Sequence, residues 1–292
     1  MKTQSKQHTP KPPWLKKRLP SGPDFENVKV LINKSQLHTV CQEAKCPNIW
    51  ECFSKHTATF LILGDRCTRN CRFCAVTHGP LTPPDPEEPI RVAKAAQAMG
   101  LQYVVVTSVT RDDLTDGGAG TFADTILEIH NRMPDTKVEV LIPDFQGNAQ
   151  ALETVLKAHP EVLNHNIETV PRLYSTVRPE AVYARSLGLL KSVRKFDPAI
   201  PTKSGLMLGL GETSDEIRQT LEDLLDAGCH ILTLGQYLQP THRHLPVARY
   251  VTPDEFDHWQ NIAYGLGFSE VASSPFVRSS YDAHELFQAT KS

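Results

Sequence analysis

Short apolar runs rich in β-branched and aromatic residues alternate along this chain with longer stretches of helical spacing. The runs are TATFLIL (57–63), QYVVVTS (102–108), KVEVLIP (137–143), EVLNHNIE (161–168), TKSGLMLG (202–209) and HILTLGQYL (230–238). Their composition predicts strands. Between them, apolar residues recur every three or four positions, which predicts helices over roughly 90–99, 121–132, 149–158, 181–196 and 214–227. Boundary chemistry agrees. TSDE at 213–216 reads as a capping box, with Thr213 as N-cap and Glu216 three residues on. TPDE at 252–255 repeats it, with Pro253 at the first helical position. Gly228 stands where the helix before it should stop.

Strands alternating with helices imply a parallel sheet covered by helices. Right-handed crossovers curl such a sheet toward a barrel. A closed (β/α)8 barrel needs eight units, and six are legible. The predicted fold is therefore α/β, a partial (β/α)6 TIM-like barrel with an N-terminal cysteine-rich extension and a C-terminal extension. An open doubly wound sheet is the competing architecture. Three segments are expected: an arm over 1–56, the partial barrel over 57–250, and a C-terminal helix and tail over 251–292. In a barrel of this kind the chemistry sits at the C-terminal ends of the strands.

Composition narrows the class. The 292 residues are 40% hydrophobic and 22% charged, as in an ordinary globular protein. A net charge of -2 supplies no global basic field for nucleic acid. No apolar run approaches the roughly twenty residues of a membrane span. The N-terminus lacks the apolar core of a signal peptide, so the seven cysteines are expected in a reducing, cytoplasmic setting. The first thirty residues, rich in Pro and Lys, predict an extended arm. Cys229 stands alone in LLDAGCHILTL and reads as a small buried thiol.

The other six cysteines fall in two groups of three. CTRNCRFC at 67–74 has the spacing C-x3-C-x2-C, three residues after the first predicted strand, on a loop at the expected catalytic face. CQEAKCPNIWEC at 41–52 has C-x4-C-x5-C. Structural zinc wants four closed ligands; a zinc site here would borrow Cys52, His56 or His78. An iron–sulfur cubane usually has four cysteine ligands. Three would leave one iron open to a substrate group.

The C-x3-C-x2-C spacing, with Phe73 just before its last cysteine, resembles the radical S-adenosylmethionine superfamily. The two spacings together, with TSVTRDDLTDGGA (107–119), NHNIETVPRLYSTVRP (164–179), GLMLGLGET (205–213) and RSSY (278–281), resemble the lipoyl synthase family over residues 11 to 282. The resemblance implies a radical sulfurtransferase with two [4Fe–4S] clusters. Cys67, Cys71 and Cys74 would hold the one that binds S-adenosylmethionine. Cys41, Cys46, Cys52 and Ser280, with Ser279 as the other choice, would hold the auxiliary one. Two S-adenosylmethionine molecules would be used per product. Sulfur from the auxiliary cluster would enter C6 and C8 of an octanoyl chain on a lysine of a carrier domain. The carriers implied are the dehydrogenase E2 lipoyl domain and the glycine cleavage H protein, with flavodoxin or ferredoxin as electron donor; no nucleic acid or membrane partner is implied.

Strand ends then nominate contacts for S-adenosylmethionine. Thr107 and Ser108 would receive its amino group, Glu168 its ribose hydroxyls, and Arg178 its carboxylate. For each, a capping or surface role is the alternative. His242 and His244 lie in the loop after the last predicted strand, either lining a channel or merely solvated. A non-enzymatic metal protein is the competing function, and it would need closed four-ligand sites.

Overall fold

The structure, a computed structural model, describes residues 10–16, 23–43, 46, 48–49 and 59–290. Cys52 and His56 lie outside them. Eight strands form one sheet in sequence order: β1 His38–Thr39, β2 Thr59–Ile62, β3 Tyr103–Ser108, β4 Lys137–Leu141, β5 Val162–Asn164, β6 Thr202–Leu208, β7 Ile231–Gln236 and β8 Glu270–Ser274. All pairings from β2 to β8 are parallel; β1 runs antiparallel to β2. The two edge strands do not pair with each other, so the sheet is an open arc.

All six predicted strands are present, and two more extend the arc. β8, EVASS, escapes notice because alternate residues are half-buried and two are serines. β1 is two residues long and sits within the cysteine-bearing arm. The fourth run pairs only over Val162–Asn164; the chain then leaves the sheet and touches it again by a bridge from Glu168 to Leu206.

The predicted helices are found at α3 Glu88–Ala98, α4 Ala119–Arg132, α5 Ala149–Leu156, α7 Tyr183–Phe196 and α8 Ser214–Asp226, and the 252–255 signal opens α9 Pro253–Leu266. Both capping boxes form. Gly228 follows the helix with φ +83°, a conformation that favours glycine. Short α2, Val40–Glu43, and α6, Tyr174–Val177, fill connections.

The extended-arm expectation fails over α1, Pro23–Lys34. Proline breaks a helix from its interior, whereas Pro23 occupies its first turn. No proline follows until Pro47, and Val28 and Ile32 bury one face.

The outer faces of β2–β5 pack on α3, α4 and α5, and those of β6–β8 on α8 and α9. The inner floor is different. Lys203 and Glu139, both about 1% exposed, form an ion pair with Nζ at 3.0 and 3.2 Å from the two carboxylate oxygens. Tyr103 and Asn164 also donate to Glu139, at 2.8 and 3.0 Å. Below them, at the strand starts, α10 Ala283–Ala289 closes the arc. Phe287 and Ala283 pack with Tyr103, Val105, Val162 and Ile231, and His284 stacks on Tyr103. Lys203→Met strips the buried carboxylate of its cation. It is expected to lower stability by about 3–5 kcal/mol, read from urea denaturation.

Candidate active site

The C-x3-C-x2-C loop is fixed from three sides. The Cys67 amide donates to Thr77 O, and the Cys74 amide to Cys71 O, both at 3.0 Å. Arg72 is gripped by backbone, its N–H donating to Val177 O and its carbonyl accepting from Leu245 N–H. His244 is not merely solvated: its Nε2 lies 2.9 Å from Cys74 O and its Nδ1 2.9 Å from Thr241 Oγ1. The Cys67 sulfur accepts two amides, from Thr110 at 3.3 Å and Arg69 at 3.4 Å. Hydrogen bonds to a cysteine sulfur tune a cluster bound to it.

Inside the loop, Arg69 is buried against two carboxylates. It forks onto Asp112 at 2.7 and 2.9 Å and also bonds Asp144, which Arg185 approaches at 3.2 Å. Burial would raise the Asp144 pKa, yet the bond and charge of Arg69 outweigh it and bring it down to about 2. The loop is thereby keyed to the ends of β3 and β4.

Cys67, Cys71 and Cys74 open onto a cavity of about 490 Å³ that Phe73 also lines. Burial pushes the Cys71 thiol up to about 12 and the Cys74 thiol up to about 11, and neighbouring thiolates add to both. Among the described residues no three His, Cys, Asp or Glu side chains converge as a single metal ion requires.

The other predicted contacts line the same cavity. Ser108 Oγ is buried without a partner. Thr107 instead donates its hydroxyl to Leu141 O at 2.8 Å, the structural role. Glu168 sits at φ +66°, held by Gly205 O and Met207 N–H. Burial raises its pKa, against opposing effects of Arg178, Asn166 and Arg278. Arg178 spends Nη1 on the carbonyls of Asn166 and Ile167, at 2.8 and 3.2 Å, leaving Nε buried and unpartnered. A Cβ on Gly205 would press on Asn166 Oδ1 and Thr233 Oγ1, both 2.8 Å away. Glycine keeps that wall open.

The described part of the second group reaches this cavity too. Cys41 on α2 and Cys46 line it, as do Ser279 and Ser280. Asn48 Nδ2 donates to Phe276 O at 2.7 Å and clips the two segments together. After β8 the chain turns back along the inner wall, where Val277 O occupies the space a Cβ on Gly235 would need. Arg278 is half-buried; loss of hydration lowers its pKa, with Cys46 and Glu168 acting in the opposite sense.

Comparison with known proteins decides the family. Residues 61–224 match the radical SAM superfamily, and residues 1–46 match the N-terminal domain of lipoyl synthase of that family. The lipoyl synthase of Desulfotalea psychrophila is 58% identical over 95% of this chain and 93% of its own length. That of Caldanaerobacter subterraneus subsp. tengcongensis is 57% identical over 94% and 95%. The chain belongs to the lipoyl synthase family. It is thus a radical SAM enzyme that takes a [4Fe–4S] cluster and S-adenosylmethionine. The fold is that of the superfamily: HydG, a maturase of the [FeFe]-hydrogenase, superposes with a TM-score of 0.58 at 14% identity, covering 91% of this chain and 67% of that one.

The residues fit what family membership requires. Three cavity-facing thiols are the residues that would hold one cluster. Three buried polar atoms without partners, Ser108 Oγ, Asn166 Oδ1 and Arg178 Nε, await a ligand carrying both donors and acceptors. For the second group, Cys41, Cys46 and the two serines line the same cavity, while Cys52 is outside the described residues. Sequence reasoning overlooked Arg69, Asn166 and Arg278. Each lies inside a quoted motif, but nothing in a motif distinguishes a residue that holds the ligands from its neighbours.

Proposed function

We propose that this chain inserts sulfur at C6 and C8 of an octanoyl group carried on a lysine of a lipoyl carrier domain. Cys67, Cys71 and Cys74 hold the cluster that receives S-adenosylmethionine. Cys41, Cys46, Cys52 and Ser280 hold an auxiliary [4Fe–4S] cluster that donates the sulfur, and two S-adenosylmethionine molecules are used per product. What carries the reading is that Cys67, Cys71 and Cys74, the described cysteines Cys41 and Cys46 of the second group, and the RSSY serines border one cavity.

When bound, the clusters and S-adenosylmethionine supply the radical that removes hydrogen from unactivated carbons and the sulfide that replaces it. The chain's own residues bind, orient and exclude water. Ser108 accepts the amino group with its free hydroxyl, and Thr107, by holding Leu141 O, fixes the strand end beside it. Arg178 offers Nε to the carboxylate, and Glu168 accepts the ribose hydroxyls. Phe73, Leu61, Val109 and Leu141 on the cavity wall keep water from a reactive centre. The arm 1–56, barrel 57–250 and tail 251–292 act together, since β1 and β8 belong to the same sheet as the barrel strands. The carriers are the E2 lipoyl domain and the glycine cleavage H protein, with flavodoxin or ferredoxin as reductant. The setting is cytoplasmic; no described helix is long and apolar enough to cross a membrane.

Anaerobically reconstituted protein, an octanoyl-lysine peptide, S-adenosylmethionine and dithionite test the reading. The expected products are methionine, 5′-deoxyadenosine and a peptide gaining two sulfurs by mass spectrometry. Cleavage of S-adenosylmethionine without sulfur in the peptide would overturn it. Glu168→Gln is expected to weaken S-adenosylmethionine binding about tenfold, since it exchanges charged hydrogen bonds for neutral ones, as measured by equilibrium dialysis.

A further inference from the structure

The two serines of RSSY are adjacent, and the structure separates them. Ser279 Oγ accepts from Asn166 Nδ2 at 2.6 Å, and the same amide nitrogen lies 3.1 Å from Glu168 Oε1. Ser280 borders the same cavity, and its hydroxyl has no hydrogen-bond partner among the described residues. Asn166 is itself held firmly. Arg178 Nη1 bonds its carbonyl, and the flanking backbone is fixed by bonds from His165 N–H to Lys203 O and from Ile167 N–H to Ser204 Oγ.

We infer that Asn166 is a positioning residue: by occupying Ser279 it orients the tail so that Ser280 is the serine left to ligate at the Cys41–Cys46 site. The inference rests on the auxiliary-cluster reading above and deepens it. Neighbouring residues on an irregular segment point in different directions, so fixing one hydroxyl constrains the other. A 2.6 Å bond between neutral groups, Asn166 buried and Ser279 half-buried, with one partner rigid, supplies that constraint. The shared amide also joins the tail to Glu168. A ligand that takes the Glu168 carboxylate therefore acts on the hold over Ser279, which places the serine segment and the S-adenosylmethionine pocket in one hydrogen-bonded chain.

The test uses full-length protein carrying Cys67→Ala, Cys71→Ala and Cys74→Ala, reconstituted so that only the auxiliary site takes iron. Mössbauer spectra and the rate of iron loss to ferrozine are recorded. Ser280→Ala is expected to abolish the spectral signature of a non-cysteine-ligated iron. Asn166→Ala and Ser279→Ala should each preserve that signature but speed iron loss about fivefold, the factor one ordinary hydrogen bond is worth. The double variant should lose iron no faster than either single one, because both remove the same bond. Loss of the signature in Ser279→Ala rather than Ser280→Ala would overturn the inference, as would an unchanged rate in Asn166→Ala. A parent protein that takes no iron would remove the auxiliary site itself, and this inference with it.

Discussion

Replacing Cys41, Cys46 and Cys52 together with Ala is expected to cut the iron of reconstituted protein from about eight to about four per chain, one cubane in place of two. The variant should still cleave S-adenosylmethionine reductively and should transfer no sulfur. The division follows from where the ligands come from. The loop of Cys67, Cys71 and Cys74 follows β2 and is keyed to β3 and β4 through Arg69, Asp112 and Asp144. Cys41 and Cys46 belong to the arm and meet the tail through Asn48 and Phe276. Neither frame depends on the other's thiols, so one can be emptied while the other stays filled. Iron and sulfide analysis beside a 5′-deoxyadenosine assay measures both halves of the result. Iron unchanged in the variant would eliminate the second cluster.

Arg69→Leu should destabilise iron-free protein by about 3–5 kcal/mol at pH 7, because it leaves a buried carboxylate largely uncompensated. Asp144 has essentially no solvent exposure, and its remaining cation, Arg185, is half-buried at 3.2 Å. The pH dependence identifies the cause. In the wild type the Asp144 pKa falls from 3.8 to about 2. Its contribution, about 2 kcal/mol, is therefore fully present above pH 4 and disappears as pH falls from about 4 to about 2. With Arg69 gone, burial dominates and the Asp144 pKa rises above its ordinary value, so protonation then relieves the variant. The stability gap between wild type and variant should be widest above pH 4 and narrow toward pH 2. Urea titrations at pH 7, 4 and 3 measure it. A gap independent of pH would mean lost packing rather than lost charge.

Much of the frame was legible because it rests on local signals. Thr213 and Thr252 announced their helices through side chains that reach only three residues ahead, and the six strands through short runs of branched residues. β8 was not legible, since two serines in a half-buried edge strand look like a loop until β7 is beside them. The arm misled because its prolines were counted without regard to position; Pro23 starts a helix that later prolines would have stopped. The thiol groups were legible from spacing, and the structure brings the described ones to one cavity. The Thr107 and Leu141 bond and the Asn166 and Ser279 bond span 34 and 113 residues. Pairings of that reach depend on the whole fold, and no local pattern encodes them.

The plug formed by Phe287 and His284 at the floor has a bearing on how the RSSY segment behaves when it lets go. That segment is tethered at both ends, to β8 on one side and to α10 on the other. A hydroxyl on a short tether stays at an effective concentration of about a millimolar or more around its former partner. On the proposed ligation, release of Ser280 from an iron would be a small excursion with a rapid return, and the chain could give up a ligand at each turnover without unfolding its tail.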